Sequence, residues 1–382
     1  MVESRAKKYS NIIRRIVLNL DYFLYSLFRL FLPKMNLNPI EIKEILVIEL
    51  DYLGDLIAIT PALRALRNRF KKADISVLVL PEMKDIFKGN PDIDYLMAFD
   101  KKEGFAYNLK KIKNKAFDLA IILRPGSFYL SLLLLMAGIK YRIGCRKTGI
   151  LEGKGYFLTR KLKPNHNVEH TVDQNLDVVG LVGAHTDNKY PKIYFDKKDE
   201  KAITKLIKIH KLLGSKIVAI NPGSKGIANI SYPSHLWPLD NYARIADYLA
   251  KKYKAKVIIT GTKDQANLAQ AVAKLSKNKP ISFTGRTSTK QLAALYKRCR
   301  LVISTDTGSA HVAAAVNVPT ITLFGPQNPK IWEPYSKKEI SIYKEDCICT
   351  ACQRYYCRRK DNICMKSIKI NDVVKAIDRH LK

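Results

Sequence analysis

Cysteine is scarce and unevenly spread: seven residues in a chain of 382, five of them between Cys347 and Cys364. That is too few for a disulfide scaffold at this size, so a hydrophobic core must hold the chain, and 47% apolar residues suffice for one. A membrane-spanning run is lacking too. The most apolar stretch, Ile12 to Pro33, has only thirteen residues between Arg15 and Arg29, Asn19 and Asp21 among them. A spanning helix needs about 20 apolar residues. No small-residue cleavage site comes after it, which argues against a secretory signal. Acidic residues are half as common as basic ones, 34 against 67, for a formal charge of +33. Partners are therefore expected to be anionic: phosphorylated small molecules, acidic lipid surfaces or nucleic acid. The lysines are dispersed and no nucleic-acid motif occurs, which ranks that last class, a basic nucleic-acid or lipid-binding protein, lowest.

What is present divides into four stretches. Residues 1–38 begin with Arg5, Lys7 and Lys8 and then read as an amphipathic helix. Phe23, Leu24, Leu27, Phe28 and Phe31 would enter the acyl boundary of a membrane, with Arg14, Arg15 and Arg29 near anionic headgroups. The alternative is a helix packed on the protein's own body. Residues 39–190 alternate strand and helix: ILVIEL, a helix through Leu63 and Leu66, ISVLVL, a helix near 82–88, DLAIIL, the apolar SLLLLMAGI and the short YRIG. That rhythm predicts right-handed crossovers and a doubly wound parallel sheet. Asp92-Ile93-Asp94 reads as the polar lead into a strand rather than a metal-holding DxD. A polar stretch at 184–203 predicts a hinge. The rhythm restarts over 204–345, from KIVAIN to PTITLFGP, which would close the series. Residues 346–382 hold the cysteine-rich loop and a final helix with Ile370, Val373, Val374, Ile377 and Leu381 on one face and Asn371 as cap. The expected architecture is thus α/β built twice, with a cleft between the copies.

Two places carry ligand chemistry. Gly54-Asp55 comes after the buried ILVIEL strand: Gly54 would let the backbone turn sharply or approach a ligand, and Asp55 stands at the carboxyl end of a parallel strand, where open α/β sheets bind ligands. The carboxylate is a candidate general base; Asp is equally at home as a helix cap. Asp306-Thr307-Gly308 joins the RLVIS strand to the small-residue helix that carries His311. A helix start offers unpaired N–H groups and a positive dipole end, suited to a diphosphate. Here too, capping by Asp306 or Thr307 and an ordinary, partly buried His311 are the plainer alternatives. Cys347, Cys349, Cys352, Cys357 and Cys364 could ligate zinc or an iron–sulfur cluster, or form a structural loop of thiols or disulfides.

Several motifs together resemble one family. LGDLIAITPALRALRNRF, FDLAIIL, NPGS with LWPLDNYARIADYL, VIITGTKDQ, FTGRTSTKQLAALYKRCRLVISTDTGSAHVAAA and VPTITLFGPQNPKIWEPY, spread over residues 45 to 335, are similar to glycosyltransferase family 9, the ADP-heptose:lipopolysaccharide heptosyltransferase family. The resemblance implies a GT-B fold, two Rossmann-like doubly wound domains facing a central cleft, with the acceptor mainly against the first and the sugar nucleotide against the second. It implies that Asp55, after Gly54, is the catalytic base. It further implies that Ser224 with its neighbour Lys225, together with Asp306, Thr307, Gly308 and His311, meets the donor. The family usually has Lys or Arg just before the Trp-Pro pair, where this chain reads Ser234-His235-Leu236-Trp237-Pro238; Lys225 or His235 would then supply the missing positive charge. The implied activity is a metal-independent, inverting transfer of a sugar, heptose from ADP-heptose, onto a lipopolysaccharide core or related cell-envelope glycolipid. No cofactor is expected for catalysis. The expected setting is the cytoplasmic face of the inner membrane, with a peripheral attachment. A sugar-nucleotide epimerase of the same architecture is the second enzyme reading.

Overall fold

The computed structural model describes residues 40–124, 127–144, 157–162, 169–223, 234–345 and 359–382, with isolated positions at 16, 20, 23, 26, 27, 30, 38, 347 and 357. It comprises two compact units, Met1–Lys189 and Tyr190–Lys382.

The first unit carries a six-stranded sheet of β1 (Glu44–Glu49), β2 (Asp74–Val79), β3 (Tyr95–Ala98), β4 (Leu119–Arg124), β5 (Tyr141–Gly144) and β6 (Arg160–Lys161). Every pairing is parallel and the order is β3-β2-β1-β4-β5-β6. Ile45 to Glu49 are all buried, because helices cover both faces of such a sheet and leave no side of the strand polar. Leu46, Ile48, Leu78, Ala120 and Ile122 face Leu130, Leu133 and Leu134 of the Phe128–Met136 helix in one core. Burying each of the larger side chains contributes about 2 kcal/mol.

The second unit repeats the plan with β7 (Ile217–Asn221), β8 (Lys256–Ile259), β9 (Ile281–Ser282), β10 (Leu301–Thr305), β11 (Thr320–Leu323) and β12 (Glu339–Ile342). Its order, β12-β11-β10-β7-β8-β9, is the first unit's order counted from its own first strand. Each sheet therefore reverses its winding between its first and fourth strands, and ligands of open α/β sheets bind at that switch point.

Some local expectations change. The series does not close at PTITLFGP, since EISI adds β12 beyond it. The helix near 82–88 is a 3-10 turn, Pro81–Phe87. The polar stretch at 184–203 does contain the boundary between the two units, and its end is the start of a helix, Lys197–Ile209, because Asp196 and Asp199 form a reciprocal cap. The last helix runs Ile370–Leu381, and the carboxylate of Asp372, not Asn371, receives the Lys369 N–H at 3.1 Å. Asp94 accepts from Ile75 N–H at 2.7 Å and pairs with Arg67, and Asp92 lies 4.0 Å from Arg64. Both carboxylates of that DxD thus tie β2 and β3 to the Thr60–Arg69 helix. In the N-terminal segment Ile16, Leu20, Phe23, Ser26 and Leu27 are helical and exposed and Leu30 is exposed, and the rest of the expected membrane helix lies outside the described residues.

Candidate active site

The first unit's switch point lies between β1 and β4, whose register slips between Ile48 and Glu49. Such a bulge bends the strand end and re-aims the residues beyond it. Glu49 is fully buried there and accepts from Asp51 N–H at 3.3 Å, which fixes the turn out of the strand. Nothing in the sequence pattern singles out Glu49. The chain then enters the Leu53–Ala58 helix with Asp55 in its first turn, where the helix dipole favours a carboxylate. Gly54 sits inside this helix and is not among the glycines of positive φ, so a sharp turn is not the reason for glycine. Leu56, Ile57 and Ala58 are buried, and Asn175 donates to the Ala58 carbonyl at 3.5 Å, seating the helix from its far end. Asp55 is half-buried, and the N-cap is Tyr52, without a side-chain cap bond. The residue expected as base or cap is therefore not the cap.

The second unit's switch point lies between β7 and β10, where Asn221 pairs with Ser304. Asn221 accepts from Gly223 N–H at 3.4 Å and shapes the loop after β7. Ser224 and Lys225, the donor residues expected on that loop, lie outside the described residues. Beside it, β10 ends at Thr305 and the Gly308–Ala315 helix begins. Thr307 is its N-cap residue but makes no side-chain cap bond; its hydroxyl lies 3.3 Å from that of Ser304. Thr307 thus holds the cap position of the plainer reading without a side-chain cap bond, and the helix start can offer its N–H groups to an anion. Asp306 donates its N–H to Leu323 at 3.2 Å, and His311 lies half-buried one turn into the helix. The structure gathers Asp306, Thr307, Gly308 and His311 at one end of the sheet.

Beneath this edge runs a buried polar chain that the motifs do not announce. The Tyr296 hydroxyl lies 2.8 Å from the Thr260 hydroxyl and 2.5 Å from that of Ser309. All three residues are buried, and burial pushes the Tyr296 phenol up to about 12, so it stays protonated. Ser309 is the second residue of the Gly308 helix, so the network clamps the helix start to the end of β8.

His235 departs from expectation. It is buried, its Nδ1 3.1 Å from the Ser234 hydroxyl, and desolvation lowers its pKa to about 4. The ring is neutral at pH 7 and cannot be the positive charge sought before Trp237-Pro238; the low-dielectric surroundings favour the uncharged form. Trp237 itself is core, its indole donating to the Ile368 carbonyl at 3.0 Å and its ring edge-on to Tyr242 at 5.0 Å. Of the five clustered cysteines, Cys349 and Cys352 lie outside the described residues. Cys347 and Cys357 are free thiols, Cys364 is buried in the core of the second unit, and no group of His, Cys, Asp or Glu among the described residues is arranged to hold a metal.

Residues 107–363, more than half of the chain, match the sequence profile of glycosyltransferase family 9 (heptosyltransferase). The chain belongs to glycosyltransferase family 9. The lipopolysaccharide core heptosyltransferase OpsX of Haemophilus influenzae is 25% identical over 311 residues, 80% of this chain and 86% of that one. Among solved structures, a family 9 glycosyl transferase from Veillonella parvula superposes with a TM-score of 0.76 at 24% identity, covering 91% of this chain and 99% of its own. The ADP-heptose lps heptosyltransferase II of E. coli does so with 0.72 at 20%, covering 88% and 98%. This family 9 member is a glycosyltransferase, and its fold is the GT-B fold of those structures.

Proposed function

We propose that the chain transfers heptose from ADP-heptose to a lipopolysaccharide core or a related cell-envelope glycolipid, with inversion at the anomeric carbon. The names of its relatives support the sugar and the acceptor class. The observation that carries the site assignment is the Gly308 helix start at the second sheet's switch point, where the N-cap Thr307 makes no side-chain cap bond, held from below by Tyr296, Thr260 and Ser309.

Asp55 is the general base. It takes the proton of the acceptor hydroxyl while that oxygen attacks the anomeric carbon from the face opposite the nucleotide. The diphosphate leaves with growing negative charge, and the N–H groups of the Gly308 helix, fixed before the reaction, stabilise it. Asp306, Thr307 and His311 bind the donor's hydroxyls and phosphates. Since His235 is neutral, Lys225 is the cation of the Ser224-Lys225 loop that offsets the leaving group. The chemistry needs no metal, because these donors supply the electrostatic stabilisation. Exposed Ile16, Leu20, Phe23 and Leu27, spaced by three and four residues along one helix face, support a peripheral contact with the inner membrane's cytoplasmic face. Among the described residues no helix is long and apolar enough to cross a membrane.

The test is a panel of ADP-, UDP- and GDP-sugars offered with heptose-deficient lipopolysaccharide, the product's anomeric configuration being read by NMR. Transfer from ADP-heptose alone, with inversion, is expected. Transfer from a UDP-sugar instead, or retention, would refute the assignment, and turnover of a donor without acceptor would favour the epimerase.

A further inference from the structure

At the opposite edge of the second sheet, where its strands begin, lies a cavity of about 500 Å³. Lys216 precedes β7, Arg300 precedes β10 and Lys338 precedes β12, so the cavity lies a full strand length, roughly 15 Å, from the Gly308 helix start. Its floor is apolar: Val218, Ala255, Cys299 and Val318 are buried there. Its rim is cationic. Lys216, Lys297, Arg300, Lys338 and Lys382 line it and are exposed, and among the described residues no Asp or Glu does. None of the five forms an ion pair among the described residues, although acids elsewhere on this basic chain do pair. Two are already held in place: Lys338 donates to the Asn317 carbonyl at 3.2 Å, and the Lys297 ammonium lies 5.5 Å from the centre of the Phe195 ring. Five like charges around one hollow repel one another unless an anion sits among them, and a volume of this order suits a small ligand.

We propose that this cavity is a second binding site, distinct from the donor edge, for a phosphate-bearing molecule with a compact apolar body. The phosphate meets Lys216, Arg300 and Lys338 at the rim while the apolar part covers Val218 and Val318. The same chemistry is offered by a soluble phosphate ester and by the headgroup of an anionic phospholipid.

Phenyl phosphate carries both features and is the probe. Calorimetric titration of the full chain should show it binding more tightly than inorganic phosphate. Lys216→Gln/Arg300→Gln/Lys338→Gln should weaken it by about tenfold or more, the scale of one or two charge-assisted hydrogen bonds. A control that removes three lysines of the first unit, Lys71→Gln/Lys72→Gln/Lys110→Gln, should leave it unchanged. All six side chains are exposed, so the fold is not at risk, and near-UV circular dichroism checks it. A loss of retention on vesicles of phosphatidylglycerol in phosphatidylcholine, seen with the cavity variant and not the control, assigns the ligand to lipid; a loss confined to phenyl phosphate assigns it to a soluble ester. Unchanged phenyl phosphate binding in the cavity variant, or an equal drop in both variants, would mean that diffuse charge alone attracts the anion, and would overturn the proposal. Sugar transfer to a soluble acceptor is read in parallel, so that failure of this site is not mistaken for failure of the donor assignment.

Discussion

The two halves wind their strands alike and arm their switch points differently. After β1 the first half places one carboxylate, Asp55, in a short helix seated by its buried Leu56, Ile57 and Ala58 and by bonds from Thr60 and Asn175 to its carbonyls. After β10 the second half places backbone N–H groups at a helix start and braces them with buried hydroxyls. In the proposed mechanism Asp55 accepts a proton, which asks for basicity and access. A cradle for a diphosphate must hold several donors in fixed directions, and a hydrogen-bonded floor supplies that.

The sharpest way to break this contrast is to exchange the two losses. Asp55→Ala is expected to reduce transfer by about a thousandfold, within the range for a missing general base, while donor affinity stays near wild type. Asp306→Ala is expected to weaken donor binding about tenfold. Transfer rates and donor titrations on both variants measure this; weak donor binding by Asp55→Ala would erase the division of labour. Next in size is the pH response of the second half. His235 has a folded pKa of about 4, below the ordinary value of 6.5, so the unfolded chain binds the extra proton between them. The associated stability is complete above about pH 6.5 and is lost as pH falls towards 4, by about 3 kcal/mol in all. Urea midpoints across that window should fall for the wild type and run flatter for His235→Gln; parallel curves would assign the loss to other groups. The smallest effect concerns the brace. Tyr296→Phe leaves the Thr260 and Ser309 hydroxyls without their shared partner and should cost about 2 kcal/mol by denaturant titration, with a donor KM raised several-fold. An unchanged KM would make the network purely structural.

The double α/β plan is legible in the sequence because buried parallel strands are continuous apolar runs, and KIVAIN and RLVIS stand out as clearly as ILVIEL. The candidate ligand edges are legible because Gly-Asp and Asp-Thr-Gly interrupt those runs at strand ends. Less visible is whatever depends on the third dimension. Tyr296, Thr260 and Ser309 belong to three separate stretches and share no spacing. His235 looks like a charge in sequence and is not one in the fold, since burial is invisible in a run such as SHLWP. EISI escapes notice because four residues with lysines on both sides carry almost no periodic signal.

The bond from the Trp237 indole to the Ile368 carbonyl joins residues 131 positions apart, and the C-terminal helix just beyond delivers Val373 and Ile377 into the core that Val218 begins. During synthesis the second half must therefore wait: its earliest strands leave the ribosome long before the segment that seals them. The sheet and helices of Met1–Lys189 face no such delay and can settle while the rest is still being translated.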